Sequence, residues 1–122
     1  MGMDMRYAFQ KENPPGQWRD VSSNFSGWRS YELFAWLGCE SANSRCINPV
    51  LPIAALRGLP RDIEWEDYDL YGEHSYSYLT ADEILNAPVP EEPGEVLIEF
   101  INTVKQLQKE HGRIRIIFGF ES

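Results

Sequence analysis

The chain predicts an α+β fold: a small antiparallel sheet with one long C-terminal helix packed on it and short accessory helices. Three observations lead there. "DMRYAFQKE" (4–12) alternates, with Met5, Tyr7 and Phe9 on one side. "RIRIIFGF" (113–120) does the same with Ile114, Ile116, Phe118 and Phe120; this is the period of a half-buried strand. Between them Val96, Leu97, Phe100, Ile101, Val104 and Leu107 recur at helical spacing, which predicts a long amphipathic helix. The order strand, strand, helix, loop, helix, long helix, strand completes the α+β pattern.

Each element has a local reason. Asn13-Pro14-Pro15-Gly16 is a turn signal, so "QWRDVSS" reads as the returning strand of a hairpin. Ser30 can cap a short helix over "YELFAWLG", which Gly38 terminates. Residues 39–61 carry Pro49, Pro52 and Pro60 without usable periodicity and read as a long, partly buried loop. "DIEWEDYDLYG" reads as a short acidic helix. Thr80-Ala81-Asp82-Glu83 is a capping box, Thr-x-x-Glu, that opens the helix "ADEILNA". "HSYSYL" must then be the extended segment that leads into it. Pro93 stands near the start of the long helix and Gly112 stops it.

At 122 residues, 43% of them apolar, the chain reads as a single domain, 1–122, with a true hydrophobic core. No apolar run reaches the ~20 residues that span a membrane, and "MGMDMRYAF" has no signal-like apolar stretch. A cytoplasmic protein without membrane partners is the expectation. Cys39 and Cys46 then read as free thiols.

The net charge of −8 is unevenly spread: all twelve Asp and Glu of residues 62–104 lie in a stretch without Lys or Arg. Direct DNA binding is disfavoured, because neutralising phosphates takes clustered cations. The stretch either keeps the protein soluble or presents a negative face, with Asp62, Glu64, Glu66, Asp67 and Asp69, to a basic partner.

Candidate binding residues come from three blocks. In an extended "HSYSY", His74, Tyr76 and Tyr78 project to one side, and Ser75 and Ser77 to the other. Such a row can stack on a flat ligand while the hydroxyls bond its polar edges; an edge strand with cross-strand aromatic packing has the same signature. In "GWRSYELF", Trp28, Arg29 and Tyr31 sit at the mouth of a helix, and Arg57 precedes Gly58 in a tight turn. Arginine suits bidentate phosphate or carboxylate recognition. Together these residues can form an anion pocket with Arg29 and Arg57 on phosphates, Trp28, Tyr31 and Tyr78 stacking, and His74, Ser75 and Ser77 on polar edges.

Metal and cofactor chemistry find no motif. Cys39-x6-Cys46 with His74 and His111 fits no usual zinc spacing, and no phosphate-binding glycine loop or nucleophile elbow is present. No cofactor and no catalytic residue is expected, which argues against an enzyme.

The blocks "WRSYELFAWLG", "INPVLPIAALRGLPRDI", "GEHSYSYLTADEIL" and "RIRIIFGFES" resemble a widespread family of small phage and prophage proteins. Its pattern is R-x-Y-x-L-F, then R-G-L-P-x-D, then G-x-H-S-x-S-[WY]-L-T-x-x-E-L, and a closing strand. The family has no established activity, and the segment after Pro60 departs from it in being strongly acidic. The resemblance implies a phage accessory protein, and so a counter-defence role. The expected function is a sponge that sequesters a small anionic nucleotide immune signal without cleaving it, built as a homo-oligomer. A rival from another class is an acidic inhibitor that mimics nucleic acid and binds a host defence protein. A third is a small nucleotide hydrolase with His74 as base.

Overall fold

The computed structural model describes residues 2–122 and has the expected α+β architecture. Nine elements follow in chain order: β1 (Asp4–Glu12), β2 (Trp18–Val21), α1 (Tyr31–Trp36), α2 (Glu40–Asn43), a 3-10 helix (Trp65–Tyr71), β3 (His74–Thr80), α3 (Ala81–Asn86), α4 (Glu95–His111) and β4 (Ile114–Glu121). The four strands form one antiparallel sheet in the order β2-β1-β4-β3. β1 and β4 pair over their whole length, from Asp4 opposite Glu121 to Lys11 opposite Ile114.

The alternation of the two central strands fixes what each face does. Met5, Tyr7 and Phe9 stand opposite Phe120, Phe118 and Ile116, so one face is a continuous apolar floor. α4 covers it with Leu97, Phe100, Val104 and Leu107, all buried. Phe100 packs on Phe9 and Phe25 at ring distances of 6.0 and 5.5 Å. α1 joins the same face through Phe34, 5.1 Å from Phe120, and is capped by Ser30, whose Oγ accepts the Leu33 N–H at 3.1 Å. Each of these large buried side chains stabilises the fold by about 1.5–3 kcal/mol.

The region expected to be a long, partly buried loop, 39–61, carries local structure of its own. It opens with the single turn of α2. Asn43 then acts as a surrogate backbone: its amide donates to the Val50 carbonyl at 2.7 Å and accepts the Val50 N–H at 3.0 Å. Ile53 adds an N–H bond to the Trp36 carbonyl. These bonds satisfy polar backbone that no helix or sheet serves.

The second face of the sheet is covered as well, by the acidic segment. Ile117 is fully buried there and Arg115 nearly so. The cover lies close: a Cβ on Gly119 would stand 1.9 Å from the Tyr71 carbonyl oxygen, so only glycine fits beneath the end of the 3-10 helix. Asp62 is part of this cover. Its carboxylate is turned inward to Arg115, with contacts of 3.1 and 2.6 Å, which removes it from the outward acidic set.

The opening segment also departs from simple alternation. β3 pairs with β4 through His74 opposite Phe120 and Ser77 opposite Phe118, with a bulge between them that Ser75 makes at a φ of 58°. The extra residue flips the pattern. His74 shares the α4 face with Ser77 and Leu79, and Tyr76 and Tyr78 lie on the opposite one, so the expected row of His74, Tyr76 and Tyr78 is split. Beyond Thr80 the predicted capping box is complete in both directions.

Candidate functional site

The eight residues singled out by sequence fall into separate groups, each with its own partners. Arg57, Ser77 and Tyr78 come together at the outer edge of β3. The Arg57 backbone N–H donates to Ser77 Oγ at 3.0 Å, and its guanidinium donates to the Tyr78 carbonyl at 3.1 Å and lies 5.4 Å from the Tyr78 ring. The same guanidinium grips both carboxylate oxygens of Glu83. With Gly58 N–H bonded to the Tyr76 carbonyl, this arrangement seals the strand's free edge. Arg57 holds a carboxylate of its own chain here, rather than a phosphate.

Glu83 sits at the centre of that latch. It accepts from Arg57 and from the backbone and hydroxyl of Thr80. The Arg57 hydrogen bonds, foremost, bring its carboxyl down to about 2. The capping-box residue thus has a second partner that its sequence position did not reveal.

His74 and Ser75 form a second group. The imidazole contacts Ser75 Oγ at 2.9 Å and Ser122 Oγ at 3.1 Å and packs on Phe120. Trp28 and Arg29 form a third: Trp28 is 72% exposed, and Arg29 donates to Asp4 at 2.9 Å. Arg29 therefore also meets a carboxylate in the free protein.

Tyr31 stands in a cleft of about 810 Å³. Its walls are the 45–51 loop and the 88–92 segment, which meet over the N-terminal turn of α1. Arg45, which the sequence reading did not single out, lies 5.0 Å over the Tyr31 ring and donates to its hydroxyl at 2.8 Å. The two side chains bring one aromatic surface and one cation together. Nothing in the sequence couples them, because a turn of helix and the Asn43 staple bring them together.

The remaining lining has two characters. Ile47 and Leu51, 99% and 76% exposed, hold apolar surface open at the rim. Glu91 and Glu92 add carboxylates on the opposite wall. Cys46 also lines the cleft; burial, then the charge of Glu32, pushes its thiol above the usual range. It therefore stays protonated at neutral pH and is a poor nucleophile.

A second groove, of about 630 Å³, runs along α4 beside Ser22 to Asn24 and is lined by Glu99, Asn102 and Gln106 among others. Among the described residues no group of three or more His, Cys, Asp or Glu is placed to hold a metal ion, and no helix is long and apolar enough to cross a membrane.

Comparison of the chain with protein-family models, with curated proteins and with solved structures gives no match.

Proposed function

We propose that the protein binds and retains a small, planar, nucleotide-like ligand in the cleft beside Tyr31, without turning it over. The observation that carries this reading is the Arg45–Tyr31 pair on the wall of an 810 Å³ cleft, a volume suited to a small organic ligand. The ring offers a face for a base, and the guanidinium over it places a positive charge near an anionic group. Glu91 and Glu92 supply acceptors for the N–H edge of a base. With Glu32 they outnumber Arg45 in the lining, so a ligand of low negative charge placed at Arg45 is preferred and each further charge meets repulsion.

Cys46, the one sulfur among the cleft-lining residues, has its thiol held above the usual range, which disfavours a thiolate nucleophile there. Together with the resemblance to small phage proteins, this supports a sponge for a nucleotide immune signal acting in the host cytoplasm. The apolar rim of Ile47 and Leu51 supports closure of the cleft by a second protomer.

The test incubates the pure protein with cyclic dinucleotides and ADP-ribose derivatives, then heat-denatures it and examines the released compounds by chromatography. Intact ligand that disappears and returns is the expected result, and Arg45→Ala and Tyr31→Ala should each abolish depletion. A changed product would replace the sponge with an enzyme. Depletion of no compound would overturn the reading.

A further inference from the structure

The acidic cover of the sheet has an outward side that the cleft does not explain. In the 3-10 helix Trp65–Tyr71, residues three apart eclipse one another, which sorts the side chains into rows. Trp65, Tyr68 and Tyr71 form one row. It starts buried at Tyr71, continues through Tyr68 against Tyr76, with ring centroids 6.1 Å apart, and ends at Trp65, which is 75% exposed. Asp67 and Leu70 form the second row, and Glu66 and Asp69 the third, while Glu64 precedes the helix in an extended conformation. Leu70 is also exposed. Among the described residues none of Glu64, Glu66, Asp67 or Asp69 takes part in an ion pair.

This surface is held in place before anything meets it. The inward turn of Asp62 onto Arg115, the buried Tyr71 and the fit of Gly119 beneath the Tyr71 carbonyl fix the segment to the sheet. A large exposed apolar ring between two anchored ends, flanked by unpaired carboxylates, is matched by a partner with an apolar slot between cationic rims. Anionic membranes and nucleic acids carry the wrong sign.

We propose that this face docks into the single-strand-binding groove of a nucleic-acid-binding protein, with Trp65 occupying a base-stacking position. Such grooves combine a track of Lys and Arg with aromatic platforms. The 3-10 geometry offers the complement: Glu66 and Asp69 are spaced about 6 Å along the axis, with a ring beside them. The occupant is a protein, and a second copy of this acidic chain would repel the face.

The test needs no knowledge of the natural partner. A labelled peptide alternating Arg with Trp and Leu serves as probe, and its serine-for-arginine counterpart as control, with binding read by fluorescence anisotropy. The cationic peptide should bind, and raising salt from about 0.05 to about 0.2 M should weaken it. Trp65→Ala should reduce affinity about tenfold or more. The triple change Glu66→Gln, Asp67→Asn, Asp69→Asn should do likewise. Single-stranded oligonucleotide added to the mixture should compete for the peptide and release the protein.

These side chains are exposed, so unchanged melting temperatures will show that the variants fold. Arg45→Ala should leave peptide binding untouched, which separates this face from the cleft. Equal binding of the control peptide, insensitivity to Trp65→Ala, or no binding would each overturn the proposal. So would a concentration-dependent dimer abolished by Trp65→Ala.

Discussion

Arg115 and Asp62 meet in a two-pronged ion pair in which one partner is buried and the other is not: their side chains are 6% and 50% exposed. The guanidinium is further held by Gln10 at 2.9 Å and by the ring of Trp18 at 4.3 Å. Burial removes its hydration, and Asp62 replaces it from outside. The acidic segment is thereby fastened to the sheet by a charge on the sheet itself.

Removing the outer partner strands the inner one. Asp62→Ala should destabilise the protein by about 3 kcal/mol, because an unpaired buried charge is costly. Urea denaturation would measure it. Arg115→Met in the same background should recover part of the loss, since an apolar side chain of similar length has no charge to compensate. Lack of recovery would show that Asp62 acts by some route other than Arg115.

The Arg57–Glu83 latch predicts a pH dependence with a definite sign. The Glu83 carboxyl lies near 2 in the folded protein against an ordinary 4.5. A depressed carboxyl contributes stability above its unfolded value and loses it as pH falls toward the folded one. Glu83 and Arg57 side chains are each about one-third exposed, so solvent screening limits the contribution to about 1 kcal/mol. Glu83→Gln should be less stable than wild type by that amount at pH 6. The two proteins should converge as pH approaches 2, as followed by thermal melts.

Much of this was legible in advance, and the failures have physical causes. The apolar spacing of α4 and the Thr80–Glu83 box are local signals, and both elements form where the local chemistry places them. Arg115 could not be read. Alternation assigned it to the face away from α4 without showing that a segment some fifty residues earlier would cover that face. The bulge at Ser75 was equally hidden, because nothing in "HSYSY" marks which residue takes a positive φ. Arg45 escaped because its partnership with Tyr31 depends on the path of a proline-rich loop, which has no period to read.

Gly119→Ala should be among the most damaging small substitutions in the chain. The added methyl would meet a backbone oxygen at 1.9 Å, which no side-chain rotation relieves. A loss of about 3 kcal/mol or more, or failure to fold, is expected. An alanine variant with near-native stability would mean that the 3-10 helix can lift from the sheet at little cost.

Trp28→Ala and Arg29→Ala provide the contrast. The Trp28 ring is mostly in solvent, and the Arg29–Asp4 pair is about half exposed on both sides. Each change should leave the melting temperature close to that of the wild type. Any loss of ligand retention in these variants would then report a direct role in binding.

The strand order has a consequence for how the chain reaches this state. β4, the last of the nine elements, lies in the middle of the sheet, and its partner β1 is the first. No part of the apolar floor is complete until residues separated by more than a hundred positions have found each other, as Asp4 and Glu121 do. Such distant pairings make for slow search rather than rapid local zippering. Until β4 pairs, the early hairpin leaves Tyr7 and Phe9 uncovered, so the sheet forms as one concerted event once β1 and β4 meet.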